Sequence, residues 1–127
     1  MSKKYSVLIV DDEPSNIGVL SSMLRSDYKL LAATNGSDAI EAAEKHSPDI
    51  ILLDVVMPEM DGYAVIEVLK SSAKTKNIPV VFLTAKADPE NERRGLELGA
   101  EDYIFKPFSK SILLKRLKMH LRLDGLS

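Results

Sequence analysis

The sequence predicts an α/β domain in which helices cover both faces of one doubly wound parallel sheet. Two observations carry this. Residues 6–10, 50–53 and 80–83 form runs that are apolar on both faces and rich in Val, Ile and Leu, as suits strands covered by helices on both sides. Two weaker runs, residues 29–33 and 102–105, read as edge strands, and helical patterns fill the intervals.

The elements follow in order. After the first strand, a helix over 14–25 opens on Pro14 and carries Ile17, Leu20, Met23 and Leu24 at helical spacing. Following the weak run at 29–33, "SDAIEAAEKH" is rich in Ala and Glu and predicts a helix over 37–46. The third strand leads to a helix over 62–71 with Val65, Ile66, Val68 and Leu69 on one side. Beyond the fourth strand, Asp88-Pro89 reads as a cap and first helical residue, with Gly99 as the stop. The last helix follows Pro107 and carries Leu113, Leu114, Leu117 and Leu121. Alternation with short loops implies right-handed crossovers. Placing the weak second and fifth runs at the edges gives strand order 2-1-3-4-5, the flavodoxin-like arrangement.

Length and composition narrow the function. A chain of 127 residues has the size of a single domain, expected here over residues 1–127, without repeats or linkers. At this length a core forms without staples. The absence of Cys excludes disulfides, Cys-ligated metals and thiol nucleophiles. The N-terminal apolar run is too short for a signal peptide or a membrane span, so a soluble, cytoplasmic protein is expected. A net charge of −2 argues against a nucleic-acid surface over the whole domain.

The chemistry gathers at the strand ends. In an open α/β sheet, ligands bind beyond the carboxyl ends of the strands where strand order reverses, here between the first and third strands. The first ends in Asp11 and Asp12, and the third runs "IILL" straight into Asp54. Clustered carboxylates repel and need a counter-charge. An oxygen-only set with open coordination positions favours Mg2+, which often shares its sphere with phosphate oxygens. The fourth strand brings the Thr84 hydroxyl to the same rim, and "FKP" after the fifth brings Lys106. Carboxylates accept phosphoryl groups, and such transfer needs mainly positioning and neutralisation of oxygen charge.

"DDE" after the first strand, "DVVMPEMDG" after the third, "TA" after the fourth and "DYIFKPF" around the fifth stand in order and at family separations. With these motifs the chain resembles the receiver domain of two-component response regulators over almost its whole length. The resemblance implies that Asp54 is phosphorylated from a phosphohistidine on a sensor histidine kinase or histidine phosphotransfer protein. It implies that Asp12, Asp54 and the backbone carbonyl of Val56 bind Mg2+ directly, with Asp11 acting through a metal-bound water. Thr84 and Lys106 would hold phosphoryl oxygens, and Tyr103 occupies the switch-aromatic position. Pro58 and Gly62 would shape the loop after the acceptor, and Lys106-Pro107 sits where receivers have a cis peptide. The chain would catalyse only its own phosphorylation and dephosphorylation, and its output would be a change in the surface of the fourth helix, fifth strand and fifth helix. The side chains flanking the site, Val56 and Lys86, would set the lifetime of the phosphoryl group.

Rival readings are weaker. An aspartate-nucleophile phosphatase needs a second acid two residues after the nucleophile, where Val56 stands. A flavodoxin needs a neutral phosphate loop where this chain has "DDEPSN". A degenerate receiver acting only as an adaptor would lack chemical positions that are intact here. Taken singly, Asp11 and Asp12 read as helix caps, Thr84 as an ordinary strand residue, Lys106 as a solvated lysine and Tyr103 as packing. His46 and His120 read as surface residues near helix C-termini, and Met57, Met60 and Met119 as packing. An effector domain beyond this chain, or a stand-alone receiver, both fit. A homodimer on activation is also open, although Ile112 stands where winged-helix-class receivers place the Glu of a salt-bridged dimer.

Overall fold

The computed structural model of the protein describes residues 4–85 and 89–125, the last four of these by backbone alone. Lys86 and Asp88 lie outside the described residues. The elements are β1 (Ser6–Val10), α1 (Pro14–Leu24), β2 (Lys29–Ala33), α2 (Gly36–His46), β3 (Ile50–Leu53), α3 (Gly62–Lys70), β4 (Val80–Thr84), α4 (Pro89–Glu97), β5 (Asp102–Phe105) and α5 (Lys110–Gly125). All strand pairs are parallel and the order is β2-β1-β3-β4-β5.

Strand alternation divides the core into two layers. Leu8, Val10, Ile51, Leu53, Val80 and Phe82 face α2 and α3, against Ala39, Ala43, Val65, Ile66 and Leu69. Their neighbours Val7, Ile9, Ile50, Leu52, Val81 and Leu83 face Leu20 and Leu24 of α1 and Leu113 and Leu117 of α5. The central strands are therefore apolar on both faces because both faces are covered. The edge strand β2 is only partly buried, which explains its weaker pattern.

Local chemistry sets the helix ends. Asn35 caps α2 by accepting the Asp38 N–H at 2.8 Å, so that helix starts one residue before the predicted Ser37. Asp61 caps α3 through the Ala64 N–H at 2.9 Å. The Ser109 hydroxyl oxygen accepts the Ile112 N–H at 3.1 Å and so opens α5 at Lys110. Gly99, at φ 111°, takes the left-handed conformation just past α4.

His120 departs from the sequence reading. It is 8 % exposed rather than a surface residue. Arg116 and His120, one helical turn apart on α5, both reach Asp102 on β5: Arg116 Nη1 lies 2.6 and 2.7 Å from its oxygens and His120 Nε2 lies 3.0 Å away.

Candidate functional site

The strand ladders deliver the site residues to one rim. Val10 and Leu53 are register partners, so Asp11 and Asp54 are the residues just beyond a matched pair of strand ends. The Asp11 N–H donates to Ala33 O at 3.2 Å and the Asp54 N–H to Val10 O at 3.0 Å. Thr84 is the last residue of β4, and its carbonyl accepts the Lys106 N–H at 2.9 Å. Backbone bonds thus fix all four of these side-chain origins.

Carboxylate oxygens of Asp11, Asp12 and Asp54 lie within 4.8 Å of one another. Asp11 is 2 % exposed and Asp54 9 %. One Asp11 oxygen accepts the Glu13 N–H at 3.0 Å and the Asn16 side-chain amide at 3.4 Å; the other accepts from Lys106 Nζ at 3.3 Å. Neither Asp11 nor Asp12 is the residue that caps α1: that position is Glu13, whose side chain makes no cap bond. Asp12 is half-buried and turned to the same cluster. Burial pushes the Asp54 carboxyl above its usual range. The Lys106 charge opposes this, the Asp11 carboxylate adds to it, and hydrogen bonds from the Thr84 hydroxyl and the Val56 backbone offset part of it.

The donor set fits a hard divalent cation. Three carboxylates face the single ammonium of Lys106 among the described residues, and every side-chain donor in the cluster is an oxygen. The loop after the acceptor depends on Gly62. Its N–H donates to Val55 O at 2.8 Å, and a Cβ there would collide with the Asp54 carbonyl oxygen and stand 2.9 Å from Val55 Cα. The Lys106-Pro107 peptide is cis. Val56, two residues after the acceptor, is 60 % exposed.

Tyr103 points inward and is buried. Its ring lies 5.5 Å from Phe82 and 5.2 Å from Phe105. The sequence reading passed over Tyr63, whose hydroxyl lies 3.1 Å from that of Tyr103. The signal available was its position: an aromatic directly after "DG", where α3 leaves the acceptor loop. The Asp102–Arg116–His120 group was likewise missed, although the helical spacing of Arg116 and His120 puts them on one face. Burial alone would raise the Asp102 carboxyl. Hydrogen bonds from Arg116, His120 and the Tyr103 N–H, with the Arg116 charge, outweigh it and hold the group below its usual range.

A doubly wound sheet with an acidic cluster at its switch point, faced by a lysine and a hydroxyl from the next two strands, defines a class of phosphate-handling domains. Within that class, the family model for the response regulator receiver domain matches residues 7–118, and the chain belongs to that family. It is 48 % identical over 117 residues to a probable cyclic di-GMP phosphodiesterase of Vibrio cholerae, covering 92 % of this chain and 26 % of that protein. To the alkaline phosphatase synthesis transcriptional regulatory protein PhoP of Bacillus subtilis it is 44 % identical over 124 residues, 96 % of this chain and 50 % of that protein. The chain therefore spans a quarter to a half of these relatives. Among solved structures it is similar to the receiver domain of the sensor histidine kinase PA1611 from Pseudomonas aeruginosa, described with a magnesium ion coordinated in its active site cleft. That match has 31 % identity and a TM-score of 0.86, over 94 % of this chain and 98 % of that one. Among the described residues, no helix is long and apolar enough to cross a membrane.

Proposed function

We propose that residues 1–127 form one receiver domain, the phospho-accepting switch of a two-component phosphorelay working in the cytoplasm. A phosphoryl group passes to Asp54 from a phosphohistidine on a sensor histidine kinase or histidine phosphotransfer protein. An Asp54 oxygen forms the new P–O bond as the P–N bond breaks, and the histidine nitrogen keeps the electron pair. Bound Mg2+ would neutralise phosphoryl-oxygen charge, held by Asp12, Asp54 and the Val56 carbonyl, with Asp11 acting through water. The Lys106 ammonium would exchange its bond to Asp11 for one to a phosphoryl oxygen, and the Thr84 hydroxyl would donate to another.

The observation that carries this reading is the approach of three carboxylates within 4.8 Å beside Lys106 and Thr84. Acetyl phosphate with Mg2+ should add one phosphoryl group, read by intact-protein mass spectrometry. Asp54→Asn should abolish the addition, because an amide is a poor nucleophile. Equal labelling of the variant would refute the assignment.

Output would pass through α4, β5 and α5, with Tyr103 turning as Thr84 is drawn toward the phosphoryl group. The recipient would be an effector domain beyond this chain or a separate partner, without direct nucleic-acid or membrane contact by this domain. In a homodimer on this surface, Ile112, 46 % exposed, would pack as an apolar contact. Asp102 and Arg116 are already paired within the chain. Val56 offers no group to orient a hydrolytic water, so self-dephosphorylation should be modest; an unchanged rate in Val56→Asn would count against this.

A further inference from the structure

Resting on the receiver reading above, we propose that Tyr63 is a positioning residue of the switch, holding Tyr103 inward and linking it to α4 through the Tyr63 hydroxyl. The origin of Tyr63 is set by the acceptor loop. It follows Gly62, whose bare Cα packs on the Asp54 carbonyl, and Asp61, which caps α3. From there its ring is buried between β4 and α4. Phe82 meets it at 5.3 Å with an interplanar angle of 69°, and the Arg94 guanidinium lies 4.5 Å from its centroid.

The Tyr63 hydroxyl meets both elements. It donates to the Asn91 carbonyl of α4 at 3.0 Å. The same oxygen lies 3.1 Å from the Tyr103 hydroxyl. Tyr63 thus links Tyr103 to Asn91, inside a site where an unmade hydrogen bond is costly. Gly95, four residues past Asn91 and so on the same helix face, makes the approach close: a Cβ there would stand 3.0 Å from the Phe82 ring and 3.1 Å from that of Tyr103.

The consequence is a second route between acceptor and output, parallel to Thr84. When Tyr103 turns outward, the Tyr63 hydroxyl loses its neighbour on β5 and the link between β5 and α4 is broken. Conversely, a shift of the acceptor loop moves Tyr63 and changes how firmly Tyr103 is held. Both act by biasing an equilibrium between inward and outward Tyr103.

Tyr63→Phe tests this, because it keeps the ring and deletes only the hydroxyl. With and without Mg2+ and beryllofluoride, a phosphoryl mimic, ring-13C-labelled tyrosine NMR would follow Tyr103 in wild type and Tyr63→Phe, and amide NMR would follow α4 in these, Tyr103→Phe and the double variant. The outward fraction of Tyr103 should rise roughly fivefold in Tyr63→Phe, as expected for one ordinary buried hydrogen bond. Tyr63→Phe should change the beryllofluoride response of the α4 amides, and that change should largely vanish in the Tyr103→Phe background, whereas the static loss of the Asn91 bond persists there. A wild type that responds while Tyr63→Phe leaves Tyr103 unchanged, or α4 effects that simply add, would overturn the proposal alone. A wild type that fails to respond to beryllofluoride would overturn it together with the receiver reading.

Discussion

Helices α3 and α4 have nine residues each and lie against the same layer of the core, yet they are held differently. α3 buries Gly62, Tyr63, Val65, Ile66 and Leu69, whereas α4 buries only Gly95. The remainder of α4 is mostly charged, "PENERR" before that glycine, and its Leu96 is 43 % exposed. Buried apolar area holds α3 to the sheet; one bare backbone patch and the Tyr63 hydroxyl hold much of α4. The element beside the acceptor is thus fixed, while the element that would carry the response is attached by few apolar contacts. That is the condition for a small chemical change to move it.

The largest expected effect is at the fixed end. Gly62→Ala would force a Cβ onto the Asp54 carbonyl and should cost about 3 kcal/mol through overpacking, with loss of phosphorylation. Urea denaturation and acetyl phosphate labelling would read both; a near-neutral variant would show that the acceptor loop is not held as described. The next test contrasts the helices directly. Ile66→Ala in α3 should cost about 3 kcal/mol, and Leu96→Ala in α4 should stay within about 0.5 kcal/mol. Similar losses at both sites would end the comparison.

A smaller effect concerns how β5 and α5 are joined. The folded Asp102 carboxyl titrates below its unfolded value of about 3.9, so the unfolded state binds more protons as pH falls. The stability from this group is complete above that unfolded value and is lost as pH drops through the folded one. Arg116 is partly exposed, so Arg116→Ala should cost only about 1 kcal/mol at neutral pH. The difference from wild type should shrink at low pH; a constant difference would assign the loss to packing.

The smallest expected effect has the opposite sign. Asp54 titrates above its unfolded value, so its favourable contribution is present below that unfolded value and is lost as pH rises through the folded one. Its charge therefore opposes folding at neutral pH. Asp54→Asn should be slightly more stable than wild type without divalent cation, and the gain should shrink when Mg2+ is added. Thermal melts with and without the metal would show either the gain or its absence.

The sheet order was legible because the central strands are apolar on both faces and the edge strands are not. The acidic cluster was legible because two neighbouring strand ends, those of β1 and β3, deliver three carboxylates to one rim. Tyr63 was not legible in the same way. Its partners, Asn91 and Tyr103, come from α4 and β5, and nothing in a local pattern tells which aromatic finds a buried hydroxyl. His120 was misread because helix position alone suggested a solvated residue, whereas the deciding partner, Asp102, lies on another element. Long-range polar pairing escapes periodicity, which reports only how one element divides between core and water.

The central claim is that chemistry at the fixed acceptor side is answered at the weakly held α4. Hydrogen exchange measured by mass spectrometry, before and after adding Mg2+ and beryllofluoride, tests this most directly. The account predicts faster exchange in α4 than in α3 at the outset, and a change on addition concentrated in peptides spanning residues 89–116, with those spanning 65–70 unaltered. Equal protection of the two helices at the outset, or a response confined to α3, would contradict it.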